Sequence, residues 1–562
     1  MTETQILFIE IFKEIVMAVY LAPGVYTNVS DQTVDTNTGT GYTSCAVVVV
    51  TNKGPINKRV LCNTPSDYIN TFGNLDPTVG IEGYWSQITA AATIRGCQNM
   101  YVTRVVNGAL YGGVVLLQDP VSHNLVLNGL QAGGVEDPYA TDFYSGFFVN
   151  NTMLLGIFDY APGVSDVKVT LSPNTSTSDG GIWLNVYSPS STLSPVRYNV
   201  SLVRRLNSMG EQMFIEDYVN SRSTTIVVKV NPNFVLPLAD TLIHPIVFPA
   251  TTSFSSYFAG GSVGGPVGPA DIIAGYNLYN NVGSAPIDIF VNAGWNDLNI
   301  KQELLALAAS SNGHAIIDVP MDLEHDSSMV ADYRTNTLNV NSRSGQLACP
   351  YHIIGDSVNN TQAYAPASGF IAALMCKSDN SFGPYLSPAG MTRGDISLGQ
   401  SPNPGSSISI IGLRTNYSLN DRNIFSQCQV NPVLNFPGYG PKLFGDSTLQ
   451  SVKSAFQYIS VSRMIDYVVK EANASLLFSV FDPNDQTMRD NIVAKLTNIV
   501  KPIQTARGLV SYTLVCDASN NPLSETSKGI GHVYVGIVPM YSTRIIALDL
   551  ALTEGSVTAT VI

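Results

Sequence analysis

Residues 476–485 read Leu476-Leu477-Phe478-Ser479-Val480-Phe481-Asp482-Pro483-Asn484-Asp485, and this stretch, together with the residues after it, decides the fold. The first six residues are mostly apolar and of strand length, so they predict a strand. Asp482 is a candidate helix N-cap, Pro483 suits the first helical position, and Asp485 sits where it favours the helix's positive end. Met488, Ile492, Leu496, Ile499 and Val500 then recur on one face of a helix. A strand is expected over residues 509–516, a turn at Asp517, Asn520, Asn521 and Pro522, and a second strand over 531–538. Last comes Arg544-Ile545-Ile546-Ala547-Leu548-Asp549-Leu550-Ala551-Leu552, apolar, β-prone and near the end of the sequence.

Working outward, a chain of 562 residues holds several domains, each long enough to bury a core. Charged residues are scarce at 13 %, and the net charge of −13 argues against a nucleic-acid binder held by phosphate contacts. Low charge with many Asn, Ser, Thr and Gly fits a surface largely buried against neighbours, and fits a β-rich secreted protein equally well. The seven cysteines, Cys45, Cys62, Cys97, Cys349, Cys376, Cys428 and Cys516, are odd in number, far apart and form no C-x-x-C pair. They predict buried free thiols in a reducing compartment. Sequons such as Asn199-Val200-Ser201 carry little weight without a secretory signal.

Near the start, Ile6, Leu7, Ile9, Ile11, Phe12, Ile15 and Val16 suit a short amphipathic helix. Glu3, Glu10, Lys13 and Glu14 argue against a membrane span or signal core there. Met17-Ala18-Val19-Tyr20 reads as a natural start, which makes residues 1–16 an upstream extension, translated or not. Tyr20-Leu21-Ala22-Pro23-Gly24-Val25-Tyr26 is extended and broken by Pro-Gly, which suits an arm rather than a core strand. Residues 46–51 predict a buried strand, 65–73 a short helix ending at Gly73, 83–96 a helix and 100–106 a strand. From 107 to 265, short alternating runs separated by Gly, Asn, Ser and Pro predict an all-β domain. The glycine-rich residues 260–269 form a linker by composition; without a Gly-Lys-Ser/Thr ending they are no phosphate loop. Beyond them, strands at 287–291, 315–319 and 351–354 alternate with helical runs at 301–309 and 368–376, the pattern of an α/β layer with a parallel sheet.

Pro23-Gly24-Val25-Tyr26, the Gly54-Pro55 turn with its short helix ending in Phe72-Gly73, Val102-Thr103-Arg104-Val105 and several motifs farther along the chain resemble one family, the contractile phage tail sheath proteins. Phe481-Asp482-Pro483-Asn484-Asp485 is similar to the family's aromatic-Glu-Pro-Asn-Asp, with Asp for Glu, and the Cys516-Asp517 to Asn520-Asn521 turn comes after it in the family's order. Pro366-Ala367-Ser368-Gly369, Gly383-Pro384-Tyr385 with Pro388-Ala389-Gly390, Val430-Asn431-Pro432-Val433 and Tyr458-Ile459-Ser460-Val461-Ser462-Arg463 also resemble family segments. Phe444-Gly445-Asp446-Ser447-Thr448 is a weaker likeness, because the family's Arg is missing. The resemblance covers about residues 20–106 and 270–552.

It implies an α/β and α+β multidomain fold: a subtilisin-like α/β middle domain, a mixed α+β C-terminal sheath core and the inserted all-β domain facing outward. The expected divisions are 1–44 (extension and arm), 45–106 (first part of the sheath core), 107–265 (insertion), 266–435 (subtilisin-like domain), 436–540 (C-terminal core) and 541–562 (C-terminal arm). The resemblance further implies a structural subunit of the virion tail, assembled in the host cytoplasm. Such a subunit polymerises helically around a tail tube and contracts to drive the tube through the host envelope. Its partners would be neighbouring sheath subunits, the tail tube protein, and baseplate and tail terminator proteins, with no direct nucleic acid, no membrane, no cofactor and no catalysis. Neighbouring subunits would be linked by arms carrying Tyr20, Leu21, Pro23, Val25 and Tyr26 at one end and Ile545, Ile546, Leu548, Leu550 and Leu552 at the other. An arm that adds to a neighbour's sheet is joined by main-chain hydrogen bonds.

Two constellations bear on chemistry. Asp318, His352 and Ser368 run in the chain order of a subtilisin triad, but none sits in that family's motifs, so a hydrolase is the alternative reading. Asp318, Asp322, Glu324, His325 and Asp326 form the densest acidic-histidine cluster; with no EF-hand or H-E-x-x-H spacing they read as a solvated loop rather than a metal site. Another β-rich capsid or adhesin component is a third reading.

Overall fold

The structure is a computed structural model. It describes residues 43–561 apart from 233–251, 281–286, 398–407, 547, 554–555 and short segments between 119 and 224. Among the described residues, no helix is long and apolar enough to cross a membrane.

The central layer is an eight-stranded sheet assembled from two distant parts of the chain. Its first strands are β1 (Ser44–Val49), β2 (Arg59–Cys62) and, after helix α1 (Ile81–Thr93), β3 (Asn99–Arg104). The rest come after the insertion: β4 (Ile289–Val291), helix α2 (Leu298–Ser310), β5 (His314–Asp318), β6 (Gly345–Cys349), helix α3 (Ala367–Phe382), β7 (Val430–Phe436) and β8 (Gly440–Leu443). The order across the sheet is β8-β7-β6-β5-β4-β1-β3-β2. Its six inner strands are parallel and each edge strand is antiparallel. β1, Ser-Cys-Ala-Val-Val-Val, is buried at every position, as a central parallel strand covered on both faces must be. Residues 45–106 and 266–435 therefore share one sheet, and no gap in hydrogen bonding separates them.

Between β3 and β4 the chain forms two four-stranded antiparallel sheets around a core of their own, which includes Leu116, Leu155, Leu184 and Phe214. The chain enters and leaves this unit through one paired stalk: Gly265 N–H donates to the Asn107 carbonyl (2.8 Å), and Leu110 and Ser262 exchange backbone hydrogen bonds. The glycine-rich stretch expected as a linker is the returning side of that stalk. A Cβ on Gly261 would lie 2.0 Å from the Gly163 carbonyl oxygen, so its glycine serves close backbone approach rather than flexibility.

The C-terminal unit begins with helix α4 (Ile459–Leu476), followed by α5 (Gln486–Thr505) and a hairpin of β9 (Leu509–Val515) and β10 (Tyr534–Pro539). Met464, Val468, Val500, Ile503, Leu509 and Ile537 form its core. The strand expected over residues 476–481 is absent: α4 runs through Leu476 and ends in a 3-10 turn, Leu477–Ser479. A strand needs a neighbour to take its hydrogen bonds, whereas α4 satisfies its own, and Phe478 and Phe481 are left 81 % and 86 % exposed. The cap moves as well. Phe481 has φ +76°, the chain turns tightly at Asn484, where Asp485 N–H donates to the Pro483 carbonyl (2.9 Å), and Asp485, not Asp482, caps α5 by accepting from Met488 N–H (2.8 Å). The second hairpin strand starts at Tyr534 rather than 531, because the loop before it is held by side chains. Asn521 donates to the His532 carbonyl and accepts from His532 N–H, while Asn520 donates to the Val515 and His532 carbonyls. A final hairpin, β11 (Leu548–Thr553) and β12 (Ser556–Val561), forms a sheet of its own, not paired with β9 or β10.

Candidate inter-subunit surface

Three of the family-like motifs, those at 430–433, 444–448 and 458–463, converge on one place. Asn431 on β7 brackets Ser447 with two hydrogen bonds, donating to its carbonyl (2.7 Å) and accepting from its N–H (2.8 Å). Ser447 in turn bridges to Tyr458, the cap residue just before α4. Onto this turn the chain beyond β10 is pinned. Ser542 donates to the Asp446 carboxylate (2.8 Å), Arg544 donates to the Asp446 carbonyl (2.5 Å), and the Arg544 guanidinium lies 4.0 Å over the Tyr458 ring. Burial pushes the Asp446 carboxyl above its ordinary range, partly offset by Ser542 and Arg544. Past this anchor Ile545 and Ile546 are 85 % and 80 % exposed. Leu548, Leu550 and Leu552 pair by register with Val561, Ala559 and Val557 inside the β11–β12 hairpin. Tyr20, Leu21, Pro23, Val25 and Tyr26 lie outside the described residues, so nothing here brings them to the C-terminal segment.

The β9–β10 sheet has two strands, and among the described residues neither outer edge is paired. Val510, Tyr534 and Val538 on it are about half exposed. An unpaired edge of this kind is a template for another strand.

Helix α4 fastens this unit to the central layer with three ion pairs. Arg463 meets Asp379 of α3 through both its terminal nitrogens (2.9 and 2.5 Å). Asp466 lies 2.9 Å from Arg343, and Lys470 lies 2.6 Å from Asp288. Spacings of three and four put residues 463, 466 and 470 on one helix face. Asp379 also accepts from the Thr43 hydroxyl, and Asp288 from Ser44, so the same pairs hold the start of β1. Burial opposes ionisation of Asp288, but Lys470 and the Ser44 donors outweigh it and hold the carboxyl below its usual range. The Arg463 guanidinium, paired with Asp379, is held more firmly protonated than usual despite its burial.

The residues with a triad's chain order do not form one. The Asp318 carboxylate accepts the Ser368 backbone N–H directly (2.8 Å) and those of Gly294 and the Asn292 side chain. Ser368 Oγ accepts from Ala293 N–H, and His352 stacks on Phe370 at 4.9 Å. All three are buried, so no substrate reaches the hydroxyl. Asp318 is instead an N-terminal cap for α3 supplied from a neighbouring strand, needed because Pro366 has no side chain to do it. The acidic cluster likewise departs from a solvated loop. Asp318 and Glu324 are buried, Glu324 pairs with Arg414 (2.9 Å) and accepts from Tyr351 N–H, and Asp326 caps the helix Ser327–Asp332. The partners of Asp318 and Glu324 lie 24 or more residues away in sequence, a separation no local pattern carries.

All seven cysteines are free and buried, as their spacing predicted.

The layered architecture is that of sheath proteins: the sheath tail protein of Listeria innocua superposes with a TM-score of 0.54 over 94 % of this chain and 96 % of its own, at 10 % identity. In sequence the chain is related to phage tail sheath proteins. It is 28 % identical to that of Vibrio phage KVP40 over 219 residues, 39 % of this chain and 31 % of that one. It is 24 % identical to that of Enterobacteria phage T4 over 258 residues, 45 % of this chain and 37 % of that one. The matched part thus spans about a third of the length of these relatives. No protein-family profile matches the chain.

Proposed function

We propose that this protein is the structural subunit of a contractile tail sheath, without catalytic activity. One observation carries the reading. A two-stranded sheet whose edges are unpaired among the described residues lies beside a terminal segment that is anchored at Asp446 and Tyr458 and then runs on with Ile545 and Ile546 exposed. Segments 20–26 and 541–562 act as arms that complete a neighbouring subunit's β9–β10 sheet. Main-chain bonds hold the subunits together while their rigid bodies slide between two packings, the stretched one storing the free energy of contraction. Relatedness to phage sheath proteins supports the reading, and the burial of Ser368 and His352 speaks against a hydrolase.

On this reading residues 107–265 are an outward-facing insertion, 436–540 the C-terminal core, and the parallel layer from 45–106 and 266–435 holds the subtilisin-like domain. The sheath surrounds a tail tube in the virion, between baseplate and terminator, after assembly in the host cytoplasm. The β11–β12 hairpin is then the resting form of an arm that opens when a partner edge is offered.

The test is electron microscopy of truncated chains. The full chain is expected to form helical tubes, and a chain ending at Tyr541 to stay folded and monomeric. Deleting residues 1–16 should leave assembly intact, and deleting 1–28 should abolish it. Tubes from the Tyr541 truncation would refute linkage by the C-terminal arm.

A further inference from the structure

Three thiols from remote parts of the chain meet beneath the start of β1. Cys45 is on β1, Cys97 in the turn between α1 and β3, and Cys376 inside α3. Their sulfurs all lie within 4.8 Å of one another, with Cys45 and Cys376 at 3.2 Å. The turn carrying Cys97 is pressed onto α3: a Cβ on Gly96 would lie 2.1 Å from the Ala373 carbonyl oxygen. All three residues are buried, and Cys97 Sγ donates to the Thr43 carbonyl at 3.6 Å. Among the described residues no other such group of metal-ligating side chains occurs.

Packing alone does not ask for this arrangement, since Ala or Val fills a small apolar site without grouping sulfurs. Metal coordination does ask for it. Four-coordinate zinc with bonds of about 2.3 Å places its sulfurs about 3.8 Å apart, which lies between the 3.2 Å that separates Cys45 and Cys376 and the 4.8 Å within which all three sulfurs lie. We propose that Cys45, Cys97 and Cys376 form a structural site for one thiophilic d10 cation, Zn2+ or Cu+, held by three thiolates. A donor set of sulfur alone selects these ions over Mg2+ or Ca2+. Cu+ is satisfied by the three sulfurs, and Zn2+ takes the nearby Thr43 carbonyl oxygen or a water as its fourth ligand. On binding, three S–H protons leave to solvent as three metal–sulfur bonds form, and nothing is oxidised. The site staples residues 331 positions apart beside the start of β1. It stands independently of the assembly reading.

The experiment uses the full chain, purified under reductant without chelator and incubated anaerobically with Zn2+ or with Cu+. Metal retained after desalting is counted by mass spectrometry. About one ion per chain is expected from one of the two incubations, falling at least tenfold in Cys376→Ser and unchanged in Cys428→Ser. Should Cys376→Ser fail to fold, the unaltered chain loaded with Co2+ decides: intense thiolate-to-cobalt charge-transfer absorption, bleached by Zn2+ or Cu+, is expected. No retained metal and no such band would overturn the site, and so would a Cys45–Cys376 disulfide in the peptide map of protein kept under reductant.

Discussion

In the sequence His314 is an isolated histidine, open to a core or a surface role, and His352 is the middle residue of the triad's chain order. Both are buried, and burial depresses both, His352 to about 4. A folded-state value below the unfolded one of about 6.5 means the unfolded chain binds the extra proton. The stability these residues contribute is complete above pH ~6.5 and is lost as pH falls toward the folded value, by up to ~1.4 kcal/mol per pH unit for each histidine. The thermal midpoint should therefore drop between pH 6.5 and 4. His352→Phe, which keeps the stack on Phe370, should flatten that drop. An unchanged slope in the variant would show that His352 titrates normally. Asn431 and Ser447 teach a related lesson. Their motifs are legible as separate strings, but the two hydrogen bonds that make them one feature span 16 positions and exist only in the fold.

At the scale of elements, α5 is legible from its apolar period, since Ile492, Leu496 and Val500 are buried, but its start differs from the expected one by a cap. Asp482 and Asp485 are equally good cap residues, and the backbone turn at Phe481 chose between them. Asp485→Ala should cost about 0.5–2 kcal/mol, read as a lowered midpoint in denaturant, whereas Asp482→Ala should leave the midpoint in place. For α4 the sequence displays an apolar stripe; the ionic face at 463, 466 and 470 becomes visible only once α3 and the start of β1 lie against it. Arg463→Met strands the buried Asp379 carboxylate and should destabilise the protein by about 3–5 kcal/mol. Adding Asp379→Leu should recover part of that loss, because the uncompensated charge goes with it. A double variant no more stable than the single would mean the cost lies in packing.

For the whole molecule, the insertion is joined through a paired stalk whose two sides meet at Asn107 and Gly265. Replacing residues 108–264 with a short Gly-Ser linker should leave the eight-stranded sheet intact, because the linker has only that hydrogen-bonded gap to span. The replacement removes Pro162, an acceptor for the buried Arg104, though the Gly54 carbonyl remains to it. Soluble, cooperatively unfolding protein is the expected outcome. Aggregated protein would show that the insertion is part of the core.

Local patterns determined much of this protein. Alternation marked the β-rich insertion, apolar runs marked β1 and β5, helical spacing marked α1, α2 and α5, and scattered cysteines marked free buried thiols. These are properties of a few consecutive residues and the solvent around them. Only tertiary structure decided that residues 44–104 and 289–443 make one sheet, that residues 476–481 finish a helix instead of forming a strand, and that Asp318 and Glu324 are buried. Each depends on partners far along the chain: a strand exists only where another edge accepts its hydrogen bonds, and a carboxylate stays buried only where donors converge on it.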